Sequence, residues 1–176
     1  MRERNIALIG FRATGKTSAG KILADRLGRL FIDMDKHLIA TSGREISCWV
    51  RQEGWESFRK AESELLASLA SQEGIVVSTG GGVVIDSANR DTLKKRFFTI
   101  WLKASAETIH CRITADPESC TTRPPLSGLS LKEEVRKILS DREPLYAESA
   151  DFEVDTEGKG IDEIVEEVLE RVNSEE

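Results

Sequence analysis

The stretch Asn5-Ile6-Ala7-Leu8-Ile9-Gly10-Phe11-Arg12-Ala13-Thr14-Gly15-Lys16-Thr17 constrains this chain more than any other. A short apolar run leads into G-x-x-x-x-G-K-T. Apolar residues at Ala19, Ile22, Leu23 and Leu27 then recur at helical spacing up to Gly28. Strand, glycine loop and helix in that order is the setting in which such a loop holds phosphate. Gly10 and Gly15 let the backbone turn tightly, so its N–H groups can meet phosphate oxygens. Lys16 adds a mobile positive charge, and Thr17 offers a hydroxyl to Mg²⁺. The helix opening near Lys16 aims its positive end at the same anion. Ala13, Thr14, Gly15, Lys16, Thr17 and Ser18 are therefore the candidate nucleotide-binding residues.

The rest of the composition narrows the classes of function. A length of 176 residues fits one domain, 1–176, with a real core. The net charge of −6 argues against general binding to nucleic acid or an anionic membrane, so the positive charge that matters is local. No apolar run is long enough to span a bilayer. Met1-Arg2-Glu3-Arg4 leads straight into the first strand, which predicts no signal peptide. Cys48, Cys111 and Cys120 are odd in number and irregular in spacing, so neither a disulfide framework nor a zinc site fits. The cytoplasm is the expected compartment.

Along the chain, Leu30-Phe31-Ile32 reads as a second buried strand ending in Asp33-Met34-Asp35. Strand, helix, strand is the unit of a parallel sheet, and ligands gather at the carboxyl ends of such strands. Asp33 and Asp35 are thus expected on the rim that carries the glycine loop. A short helix through His37, Leu38 and Ile39, another stopped by Gly54, and a longer one through Trp55, Phe58, Leu65 and Leu69 follow. On local grounds Arg59 and Glu62 read as an i,i+3 surface ion pair.

Gly74 to Ser78 is a third strand opening into Thr79-Gly80-Gly81-Gly82. Three glycines after a buried strand cost chain entropy, which suits a place where a ligand touches backbone. Ser87–Lys95 reads as helix, Phe97–Leu102 as strand, and Ser105 as the cap of a helix to about Thr114. Ala115–Leu129, with Pro117, Pro124, Pro125 and Arg123, is long for a connection and reads as a lid. Ser130 to Glu133 is a capping box, and Arg142, two residues before Pro144, is expected near the end of that helix. Phe152-Glu153-Val154 is a fifth strand. The last helix has apolar residues from Ile161 to Val172, with a frayed tail beyond.

A phosphate loop gives nucleotide binding without naming a reaction. Phosphoryl transfer needs Mg²⁺, an in-line hydroxyl, a group to orient or deprotonate it, and positive charge on the transferring group. Asp33 and Asp35 can divide metal support and proton acceptance. Arg59 and Arg142 can grip an anionic acceptor, and Arg123 can reach the phosphates as a lid closes.

Taken together, six motifs in order resemble the shikimate kinases. They are the Gly10–Thr17 loop, Asp33-Met34-Asp35, Phe58-Arg59-x-x-Glu62, Gly80-Gly81-Gly82, Arg123-Pro124-Pro125-Leu126 and Arg142-Glu143-Pro144-Leu145-Tyr146. The resemblance covers nearly the whole chain. It implies an α/β P-loop fold of three layers: a five-stranded parallel sheet flanked by helices, like the nucleoside monophosphate kinases. Substrate-binding helices would span about 35–71 and the lid about 115–129. The implied reaction moves the γ-phosphoryl group of ATP to the 3-hydroxyl of shikimate, with Mg²⁺, in a monomeric enzyme.

By the same resemblance, Asp35, Lys16 and Arg123 are the catalytic residues. Asp35, Arg59, Gly80, Gly81, Gly82 and Arg142 hold shikimate, and Thr17 and Asp33 form the metal side. Arg123 touches ATP and Arg112 stacks on adenine. Three positions depart from the usual pattern without removing a catalytic group: Ala13 for glycine, Met34 for a small hydroxyl residue, and Pro125 inserted in the lid motif.

Rival readings are a kinase of another hydroxylated acid such as gluconate, a GTP-driven switch, and a binding protein that has lost catalysis. Asp155-Thr156-Glu157-Gly158 matches D-x-x-G, but no N-K-x-D guanine motif accompanies it. Lys16, Asp33 and Asp35 are all retained, against loss of catalysis.

Overall fold

A computed structural model describes residues 4–116 and 130–175. Most of the expected lid, Arg123 and Cys120 included, lies outside them. Among the described residues the elements run β1 (Asn5–Ile9), α1 (Lys16–Leu27), β2 (Leu30–Asp33), α2 (Met34–Ser42), α3 (Ile46–Leu69) and β3 (Ile75–Ser78). A single 3-10 turn, Val83–Ile85, precedes α4 (Ser87–Arg96) and β4 (Phe97–Lys103). Then come α5 (Ala106–Ala115), α6 (Leu131–Ser149), β5 (Phe152–Asp155) and α7 (Ile161–Glu175).

The five strands form one parallel sheet in the order β2-β3-β1-β4-β5. The α/β class and five-stranded sheet are those expected. Alternation along each strand feeds two cores, because successive side chains leave opposite faces. Ile6, Leu8, Val76, Phe98, Ile100 and Leu102 face α1 and α7, where Ile164, Val165, Val168 and Val172 close the layer. Ala7, Ile9, Val77, Phe97 and Trp101 face the other way, onto Leu66 and Leu69 of α3, Leu93 of α4 and Tyr146 of α6. Each such aliphatic residue contributes roughly 1.5–3 kcal/mol when fully buried. The order in which strands are added switches sides at β1, with β3 and β2 on one side and β4 and β5 on the other, which puts the loop after β1 at the crevice where this class of sheet binds ligands.

Three expectations change. β2 is an edge strand rather than a buried one: Leu30 is 61% exposed, since β3 covers only one side. The two helices expected on either side of Gly54 are both present, joined within α3 at an elbow where Gly54 takes φ 82° and ψ 169°, outside the helical range. Arg44 and Ser57 hydrogen-bond Glu53 at that elbow, and Arg44 above all holds the Glu53 carboxyl down to about 2. Glu53 therefore stays charged across the working pH range. α6 passes through Pro144, so Arg142 lies well inside it. Proline normally breaks a helix by removing an N–H and crowding the preceding turn. Here the stripe Val135, Leu139, Tyr146 is buried and carries the helix across. α7 also remains helical past Val172 to Glu175.

Candidate active site

The loop from Gly10 to Lys16 is shaped by what surrounds it. At Gly10, φ is 139° and a Cβ would sit 2.5 Å from the Leu102 carbonyl oxygen, so no side chain fits. Thr14 turns inward and donates from Oγ1 to the Phe11 carbonyl at 2.8 Å. Lys16 is nearly buried, and its Nζ donates to the same carbonyl at 2.7 Å. The cation is thus folded onto the loop. Thr17 Oγ1 donates to Asp33 Oδ2 at 2.7 Å, while Asp33 Oδ1 caps α2 by accepting from the Lys36 N–H. Asp33 therefore ties the start of α1 to the start of α2, and Asp35 follows in the first turn of α2.

Ala13 takes φ 62°, the one non-glycine residue with positive φ among those described. The left-handed region costs an L-residue roughly 1–2 kcal/mol, against roughly 0.5–1 kcal/mol of extra chain entropy for glycine. Ala13→Gly is accordingly expected to raise the thermal midpoint by about 1–3 °C. A fall of that size in a melting experiment would show that the Ala13 methyl matters more as packing.

A cavity of about 430 Å³ opens above the strand ends. Arg12, Ala13, Gly15, Lys16, Thr17 and Ser18 line one side; Asp33, Asp35, Lys36, Ser78, Thr79 and Gly81 line the other, with Ile39 and Ile46 as its apolar part. Lys16 and Asp35 thus face one space.

Next to it, the three glycines make room for side chains. A methyl on Gly80 would overlap Glu62 Oε1 and come 3.0 Å from Asp35 Oδ1; one on Gly82 would overlap the Arg59 guanidinium. The Gly81 carbonyl accepts from Arg142 Nη1 at 3.1 Å and from the Tyr146 hydroxyl. Arg59 and Arg142 therefore converge on neighbouring glycines. The Arg59–Glu62 pair, 2.5 Å apart, is not the surface pair that local reading suggests, because Glu62 is 0% exposed. A buried carboxylate is costly unless paired. Its partner Arg59 also lies against the Trp55 and Phe58 rings.

Arg112, on α5, donates to the Ala13 carbonyl at 3.3 Å and twice to Thr156 at 3.1 Å, so it fastens the loop to the segment after β5. That segment is the D-x-x-G match. Asp155 accepts from the Glu157 N–H, and Glu157 accepts from the Ser105 N–H and the Thr108 hydroxyl at the start of α5. Those bonds, the Ser105 N–H foremost, pull the Glu157 carboxyl below its usual range. Sequence reading gave no role to Tyr146 or Arg12. Tyr146 appears there only as the last residue of the Arg142–Tyr146 motif, and Arg12 only as an unassigned position of the glycine loop.

The family model for shikimate kinase matches residues 12–173. The chain belongs to the shikimate kinase family. Curated family members named shikimate kinase include one from Symbiobacterium thermophilum, 37% identical over 96% of this chain and 95% of that protein. Another, from Syntrophus aciditrophicus, is 41% identical over 98% and 92%. Among solved structures, shikimate kinase from Acinetobacter baumannii in complex with shikimate superposes with a TM-score of 0.92 at 30% identity, covering 99% of this chain and 95% of that one. A gluconokinase from Sinorhizobium meliloti (17% identical, TM-score 0.58) and a deoxyadenosine kinase from M. mycoides (16%, 0.61) share the fold alone. This member of the shikimate kinase family is thus an ATP-dependent kinase with the expected architecture.

Proposed function

We propose that this protein transfers the γ-phosphoryl group of ATP to the 3-hydroxyl of shikimate, giving shikimate 3-phosphate and ADP on the route to chorismate and the aromatic amino acids. The observation that carries this reading is that Lys16 and Asp35 line one cavity in a chain of this family, beside two arginines that meet at the glycine turn.

Asp35 accepts the hydrogen of the 3-hydroxyl and takes its proton as the O–P bond forms. Arg59 and Arg142 hold the carboxylate by charge-assisted hydrogen bonds. Gly80, Gly81 and Gly82 let the acid lie against backbone. The amides from Ala13 to Ser18 receive the phosphates, Lys16 neutralises charge on the outer ones, and Arg123 completes the closed site. The Arg112 guanidinium supports adenine.

Thr17 and Asp33 suit Mg²⁺, because their donors are hard oxygens at the phosphate side of the cavity. Among the described residues no group of three or more His, Cys, Asp or Glu could hold a metal by itself, which agrees with a site completed by phosphates and water. When bound, Mg²⁺ neutralises phosphate charge. The enzyme is expected to work as a monomer in the cytoplasm.

ADP release measured across a panel of acceptors tests the substrate. Turnover with shikimate and ATP, far above that with gluconate or with GTP, is expected. A preference for gluconate, tighter use of GTP, or no turnover with any acceptor would each replace this reading with one of its rivals.

A further inference from the structure

Beside the groups already assigned, one buried carboxylate has no part in the reaction. Glu134, in the first turn of α6, is 4% exposed. Its Oε1 lies 3.6 Å from Arg12 Nη2, across a tertiary contact between helix and phosphate loop. Packing makes the contact firm. Phe11 of the loop is buried in one cluster with Val135 and Leu139 of α6 and with Ile109 and Ile113 of α5.

Arg12 points the other way as well. It lines the cavity that holds Lys16, Asp35 and Gly81. Its guanidinium carbon is 6.0 Å from the Phe11 ring centre, and that of Arg142 is 5.9 Å from the same ring. One aromatic ring therefore has two guanidinium groups beside it.

We propose that Glu134 is a positioning residue, which holds Arg12 so that its guanidinium meets the phosphoryl group as it passes between Lys16 and Asp35. At 3.6 Å the contact is an ion pair rather than a tight hydrogen bond. A guanidinium carries five N–H donors, so pairing with one carboxylate and meeting phosphoryl oxygens are compatible. The charges also favour it. A carboxylate taken out of water is costly alone, so Glu134 keeps the cation close, and the N-terminal turn of α6 favours the anion. Without Glu134, a long arginine side chain loses its fixed direction, and charge stabilisation depends on donors set in place beforehand. The inference rests on the reading of this cavity as the site of transfer to shikimate.

A double-mutant cycle with Glu134→Gln and Arg12→Ala tests it, because glutamine keeps the volume of glutamate and removes only the charge. Wild type is assayed first with ATP and shikimate; failure there overturns the functional reading itself. With wild type active, Glu134→Gln is expected to lower kcat about tenfold while the KM for shikimate changes less than about threefold, and Arg12→Ala to lower kcat about 100-fold. In the Arg12→Ala background, Glu134→Gln is expected to change kcat less than about twofold. Guanidinium ion added at millimolar levels is expected to restore part of the Arg12→Ala rate only while Glu134 is present. An unchanged kcat in Glu134→Gln, or losses that simply multiply in the double variant, would reduce the pair to a structural tie. Should Glu134→Gln fold poorly, the guanidinium rescue of Arg12→Ala decides: no rescue overturns the proposal.

Discussion

Asparagine in place of Asp35 is expected to lower kcat by about 10²–10⁴-fold, with the affinity for ATP changed less than about threefold. Asparagine keeps the shape of aspartate and can still accept a hydrogen bond, but it cannot take the hydroxyl proton. The loss therefore belongs to the transfer step. Local structure favours a clean result, because Asp33 rather than Asp35 caps α2 and bonds Thr17. Removing the Asp35 charge leaves both contacts in place. Turnover at saturating ATP and shikimate, with ATP binding measured by titration calorimetry, checks this. Near-normal turnover in the variant would show that Asp35 is not the base.

The second large effect is at Arg142. A charge-assisted hydrogen bond contributes about 1.5–3 kcal/mol. Arg142→Ala is therefore expected to raise the KM for shikimate roughly 10–150-fold, with the KM for ATP held within about threefold. Lysine is expected to restore it only in part, since a point charge cannot reproduce a planar pair of donors. The glycine turn itself should survive, because the Tyr146 hydroxyl still donates to the Gly81 carbonyl. Equal losses for both substrates would contradict a grip on the acid and point to a general collapse of the turn.

Much of this was legible in the residue pattern. The phosphate loop, the alternation that builds both faces of the sheet, the Ser105 cap and the capping box at Ser130 all depend on local spacing, and each appears where expected. The less legible features depend on partners distant in sequence. Leu30 looks like a buried strand residue, yet edge position is set by strand order, which no local window contains. Pro144 looks like a stop, but packing of Leu139 and Tyr146 outweighs its local cost. The Arg59–Glu62 spacing reads as a surface pair because burial of Glu62 comes from tertiary packing. The glycine triplet reads in the sequence as a place where a ligand touches backbone. Which side chains approach it, namely Asp35, Arg59 and Glu62, became clear only in three dimensions. Arg12 and Glu134 stand 122 positions apart and form a pair only once α6 docks on the loop.

The family resemblance and the physical reading reach the same rim independently. A phosphate cradle beside a carboxylate, with two guanidinium groups around a glycine turn, fits a small anionic alcohol. A crystal structure with shikimate and a non-hydrolysable ATP analogue bound together tests that arrangement most directly. The shikimate carboxylate is expected on Arg59 and Arg142, its 3-hydroxyl within about 2.6–3.2 Å of the Asp35 carboxylate, and the terminal phosphate on Lys16. An acid bound with its carboxylate toward Lys16, or with its 3-hydroxyl turned away from Asp35, would contradict it.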